Sequence, residues 1–109
     1  MTTAALQLRS LQSLRLYVAA ARFDHHVRAH VQFLESGYLE LRHIQHVEGP
    51  RLAKEEADAR QRGDAKALSA IAARDEALRA RAEQLSQQAS EGQQRSRKLE
   101  LELETLAGQ

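Results

Sequence analysis

The chain has 109 residues, enough for one domain and hardly for two, and its 16 Lys and Arg nearly cancel its 15 Asp and Glu. Ala (19) and Leu (16) supply 35 of its 46 apolar residues, leaving four aromatics and six Val or Ile. Strands need β-branched and aromatic side chains, so this composition excludes a sheet and predicts an all-α chain.

The charge balance also excludes simple phosphate binding. Residues 1–50 carry five Arg against four acids, and residues 51–109 carry eleven bases against eleven acids. Neither half has the basic excess that sequence-independent nucleic-acid contact requires. There is no Cys, which rules out disulfides, thiolate nucleophiles and zinc–sulfur sites. No apolar run approaches the ~20 residues of a membrane span. The segment Met1-Thr2-Thr3-Ala4-Ala5-Leu6 lacks the basic region of a secretory signal. A cytoplasmic protein is the expectation.

In chain order, the first expected element is a helix over about 4–47. Leu16, Ala20, Phe23, Val27, His30 with Val31, Leu34, Tyr38, Leu41 and Ile44 recur at spacings of three and four. A second row, Leu11, Leu14, Val18 and Ala21, widens this stripe near the N-terminus. All four aromatics and all five His lie in this helix.

Gly49-Pro50 is the clearest punctuation. Pro cannot continue a preceding helix, so a turn is expected at 48–50, with Pro50 opening the next helix. Such a reversal would bring Arg42 and Ala57 within about 10–15 Å, the spacing of packed helices. A second break is expected at Gly63-Asp64, where Asp64 suits an N-cap. The expected second helix covers about 51–107.

That second helix follows a heptad. With Leu68 at a, the a positions are Leu68, Asp75, Ala82, Ala89, Ser96 and Leu103. The d positions are Ile71, Leu78, Leu85, Gly92, Leu99 and Leu106. Nine of these twelve are apolar, and the flanks are dominated by Arg, Glu and Gln. The seam is therefore assigned to Leu68, Ile71, Leu78, Leu85, Leu99, Leu103 and Leu106. The alternating Leu99-Glu100-Leu101-Glu102-Leu103-Glu104 has strand period, but its residue types favour helix. The expected fold is thus an all-α, long antiparallel helical hairpin, coiled-coil-like, forming a single helical domain over 1–109. Folding back at Gly63 into a third helix is the alternative, and assembly into a larger bundle is expected in either case.

The histidines suggest chemistry. Asp24-His25-His26 and His30 contain an i, i+4 His pair, and Glu40-x2-His43 is half of a di-iron bundle motif. At 100° per residue, however, His30 and His43 point to nearly opposite faces, ~20 Å apart along the axis. His43 and His46 would face Glu55, Glu56 and Asp58 across a turn at 48–50. A phosphorelay role for His30 lacks the positive charge such a site needs next to it, because Val31-Gln32-Phe33-Leu34-Glu35 follows. Arg62-Gly63-Asp64 spells an adhesion tripeptide, better explained as a helix break. There is no Gly-rich phosphate loop and no strand–turn–helix context for a nucleophile. No catalytic residue, metal or cofactor is assigned, and a non-enzymatic protein is expected.

What remains is association. The Ala-rich second helix can cover only a narrow strip, so the surplus apolar residues of the first helix predict a protein interface. Its residues are Tyr17, Phe23, Val27, Phe33, Leu34 and Tyr38, with Phe33 pointing away from the seam and Leu34 into it. The outline is similar to that of coiled-coil stalk proteins and small chaperones of bacterial flagellar and type III export, a resemblance of shape resting on no motif. It implies an adaptor-like bacterial protein pairing with a protein partner or with itself, a homodimer being favoured. The competing expectation is a phage or bacterial regulator touching nucleic acid through Arg9, Arg15, Arg22 and Arg28. A His/Glu metal-binding bundle is a third.

Overall fold

The computed structural model describes residues 3–109, so Met1 and Thr2 of the segment read for a targeting signal lie outside the described residues. Four helical stretches follow one another without a strand among the described residues: α1 (Thr3–His43), a π-helical turn (Ile44–Glu48), α2 (Gly49–Arg62) and α3 (Ala65–Ala107). They account for 96% of the structure. The fold is an all-α helical hairpin. Its residues group into a first unit, Met1–Gln32 with Ser90–Gln109, and a second unit, Phe33–Ala89.

The chain does not reverse at Gly49-Pro50. Glu48 and Gly49 are both right-handed helical, and the helix runs on through Pro50. Arg42 and Ala57 are therefore fifteen residues apart along continuous helix, about 22 Å at 1.5 Å per residue, and not neighbours across a turn. The physical reason is the π turn just before the proline. The Gly49 N–H donates to the Ile44 carbonyl, five residues back, in place of the usual four. The wider turn accepts the pyrrolidine ring without the close approach to the His46 carbonyl that an α-turn would impose. A side chain at 49 would crowd the Ile44 carbonyl, its Cβ lying 3.0 Å from that oxygen.

The reversal lies at Gly63-Asp64, so the expected boundaries 4–47 and 51–107 are replaced by helix to residue 62 and helix from 65. The third-helix alternative falls with them, because α2 continues α1 and does not fold back on it. Gly63 is left-handed (φ 67°, ψ 29°), a conformation L side chains resist. Its N–H donates to the Arg60 carbonyl and that of Asp64 to the Ala59 carbonyl, the Schellman pattern that closes a helix. Asp64 then caps α3, its Oδ1 accepting from the Ala67 N–H at 3.0 Å.

In the second unit the helices run antiparallel: Glu40 meets Arg81, whereas Glu55, further along the chain, meets Arg74. Leu52, Ala59 and Ile71 are buried together near the reversal, flanked by Ala67, Leu68 and Leu78, and Leu85 is buried further along. Ala59 is fully enclosed, so only a methyl group fits there. In the first unit Leu99 is the buried anchor, with Leu103 and Leu106 half-buried beyond it.

Candidate functional site

Along α3 every a and d position is buried or half-buried. The only other described residue of α3 past its first turn that loses comparable exposure is Arg81. This is the narrow strip that a 3.5-residue repeat of mostly Leu and Ala generates. Asp75, Gly92 and Ser96 sit in it as half-buried members.

The facing strip of α1 differs from the expected stripe. In the first unit it consists of Leu16, Ala19, Phe23, His26, Val27 and His30, all half-buried. In the second unit Phe33, Glu40, Leu41 and Ile44 are half-buried and Gly37 is buried. Phe33 thus belongs to the seam, its Cζ 3.9 Å from where a Cβ on Gly37 would stand, and Leu34 is exposed. The expected orientations of these two residues are exchanged. The reason is that His26, Gly37 and Glu40 occupy seam positions that the expected stripe passes over. Of the other residues assigned to the interface, Phe23 and Val27 are half-buried, and Tyr17 and Tyr38 are strongly exposed.

Two polar constellations lie within these seams. In the first unit the His26 and His30 rings stack, with centroids 5.8 Å apart and planes 9° from parallel. The His26 Nε2–H donates to the Gly92 carbonyl at 2.9 Å, which fixes the tautomer because a carbonyl only accepts. Ser96 Oγ donates to the same oxygen at 3.0 Å. The His30 ring lies so close to the Gly92 Cα that any Cβ would overlap it. Glycine here is a matter of space. The i, i+4 histidine pair is therefore built into a helix contact.

In the second unit Arg81 grips Glu40 with two parallel bonds, 2.7 Å from Nε and 2.9 Å from an Nη, and its other Nη donates to Gln84. The hydrogen bonds from Arg81 hold the Glu40 carboxyl below the usual carboxylate range; partial desolvation opposes them, and the attraction of the guanidinium charge adds a smaller lowering. The same contact raises the pKa of Arg81. Glu40 is thereby committed to Arg81, which removes it from any pairing with His43 as a metal motif. His43 instead lies 3.4 Å from Glu48 within the π turn, and Glu55 and Glu56 are taken by Arg74 and Arg60. The expected apposition of His43 and His46 to Glu55, Glu56 and Asp58 does not form, because all of them lie along one continuous run of helix. Among the described residues no three His, Asp or Glu side chains converge as metal ligands.

The exposed large apolar residues are concentrated on α1. In the first unit they are Leu6, Leu11, Leu14, Tyr17, Val18 and Val31 on α1, with Leu101 on α3; in the second they are Leu34, Tyr38, Leu39 and Val47. Two shallow, largely apolar patches occur in the first unit, each on a single helix. One lies between Leu6, Ser10, Leu11 and Leu14 of α1, the other between Lys98, Leu101, Glu102 and Thr105 of α3. Of the four Arg expected to contact nucleic acid, Arg28 is paired with Asp24 at 3.2 Å. No helix among the described residues is long and apolar enough to cross a membrane. Comparison of the chain with family models, curated proteins and solved structures gives no match.

Proposed function

We propose that the protein is a non-enzymatic helical interaction protein, an adaptor that works by pairing its helices with a protein partner or with a second copy of itself. The observation that supports this reading is the row of exposed Leu, Val and Tyr side chains on α1, beyond those used in its own seam. A soluble helix that needed only its hairpin partner would carry polar residues at those positions. Secretion- or export-associated stalk and chaperone-like proteins of the bacterial cytoplasm are the class this reading favours. Two measurements test it together. Sedimentation equilibrium reports self-association, and capture from lysate on the immobilised protein reports a partner. A chain that stays monomeric and retains no protein overturns the proposal.

A further inference from the structure

The two histidines in the seam of the first unit differ in what each can do with a proton. His26 and His30 are both half-buried, and their parallel rings lie 5.8 Å apart, close to the rise of one i, i+4 step along a helix. The His26 Nε2–H donates to the Gly92 carbonyl at 2.9 Å, and that bond survives when the ring is charged, because an imidazolium donates from both nitrogens. The Gly92 carbonyl is then filled, since Ser96 Oγ donates to it as well, at 3.0 Å. Among the described residues the His30 ring has no hydrogen-bond acceptor. Its Nδ1–Cε1 edge lies against Gly92, where even a Cβ would overlap it.

One positive charge on the stack keeps every hydrogen bond, whereas a second has nothing to compensate it. Ion pairs of histidine among the described residues are confined to His43, so no carboxylate pairs with either ring. Within one turn of the stack, the charged residues at positions flanking the seam are Arg22 on α1 and Arg95 and Glu100 on α3, two bases against one acid. On the outer side of α1, next to His25, Asp24 and Arg28 pair with each other, and Glu91, Arg97 and Lys98 hold outer positions of α3. Two unit charges 5.8 Å apart disfavour one another about threefold in water and about 100-fold at the effective dielectric of a protein surface. In the opened chain the rings separate and water surrounds both, so both take protons freely.

We infer that the His26–His30 stack is a pH-sensitive latch: the seam of the first unit closes on a pair carrying at most one positive charge, and charging both rings in mild acid opens it while the second unit stays closed. Opening uncovers Phe23 and Leu99, the large apolar residues beside the stack. The test is amide hydrogen exchange of the full chain by NMR at about pH 7.5 and 5.0, values that bracket the ordinary titration of histidine. Corrected for the intrinsic pH dependence of exchange, amides around Leu99 should lose protection about fivefold or more at the lower pH, and those around Ile71 should stay within about twofold. His26→Gln keeps an N–H for the Gly92 carbonyl but cannot charge, so its first unit should hold within about twofold between the same two values. His25→Gln, at the exposed neighbouring position, should lose protection as the wild type does. A wild type whose two units keep their protection, or lose it equally, would overturn the inference, whether or not the variants fold. A His26→Gln protein that loses as much as the wild type, or a His25→Gln protein that loses nothing, would overturn it as well.

Discussion

Gly92→Ala puts the seam of the first unit to a test of sign. In an ordinary helix interior this substitution stabilises by roughly 0.5–1 kcal/mol, because Gly loses more backbone freedom on folding than Ala. Here the new Cβ would overlap the Nδ1 and Cε1 atoms of His30 and stand 3.2 Å from its Cγ. Because the crowding reaches the base of the ring, the imidazole must leave its rotamer and its stack on His26, or the helices must separate. Overpacking of this kind costs about 1–3 kcal/mol. The net expectation is a loss of roughly 1 kcal/mol. In a His30→Ala background the obstacle is gone, and the same Gly92→Ala change should stabilise by the usual 0.5–1 kcal/mol. Urea denaturation followed by circular dichroism at 222 nm gives all four corners of the cycle. A stabilising Gly92→Ala in the wild-type background, or an equal effect in both, would refute the reasoning.

Other consequences are simpler. Gly63→Ala forces a Cβ into the left-handed region at φ 67° and should cost about 1–2 kcal/mol, read from the same denaturation curves. Phe33→Ala should lower stability, since Phe33 is half-buried in the seam beside Gly37; a change confined to association would mean that the ring faces outward after all. The Glu40–Arg81 pair sets a pH dependence. The folded-state pKa of Glu40 is lowered, so its contribution is complete above the ordinary carboxylate range and is lost as pH falls through the lowered value. The stability gap between wild type and Arg81→Met should therefore shrink between about pH 5 and 2, and a gap that widens towards acid would contradict this sign.

How much of this is legible in sequence depends on which residues fill the seam. On α3 the heptad is written in Leu, Ile and Ala, and its a and d positions are the ones that lose exposure. On α1 the seam holds His26, His30, Gly37 and Glu40, of which only His30 falls in the stripe of three- and four-residue spacings. Strict seven-residue spacing would have found it, through Leu16, Phe23, His30, Gly37 and Ile44. Bulk and space are also exchanged between helices, with the His30 ring against Gly92 and Leu85 against Gly37 at 3.7 Å from its would-be Cβ. A single-helix pattern does not carry that pairing. The break at Gly63-Asp64 is legible in sequence, but the local rule against Pro in a helix makes Gly49-Pro50 the stronger signal for a reversal. The exposed apolar rows were legible as surplus, though their division between seam and surface was not.

The π turn and Pro50 explain each other, and one set of deletions can show it. In the second unit the seam of the first helical arm of the hairpin steps by seven residues from Phe33 to Glu40, by eight from Glu40 to Glu48, and by seven again to Glu55. The parallel row Gly37, Ile44, Leu52, Ala59 has the same eight-residue step between Ile44 and Leu52. One extra residue is thus inserted between His43 and Gly49, and the five-residue turn Ile44–Glu48 absorbs it while keeping Leu52 and Ala59 in the seam. Deleting Gln45 should convert this turn to α-helix with the seam still in phase. The lone deletion then sets Pro50 into a regular helix and should cost up to about 3 kcal/mol. Adding Pro50→Ala should bring stability back to within about 1 kcal/mol of wild type, since both the insertion and its reason are gone. Deleting Lys54 removes the same length of chain but leaves the π turn and swings Ala59 about 100° off the seam. That protein should remain destabilised with or without Pro50→Ala. If the two deletions behave alike in the Pro50→Ala background, the inserted residue is not what the π turn accommodates.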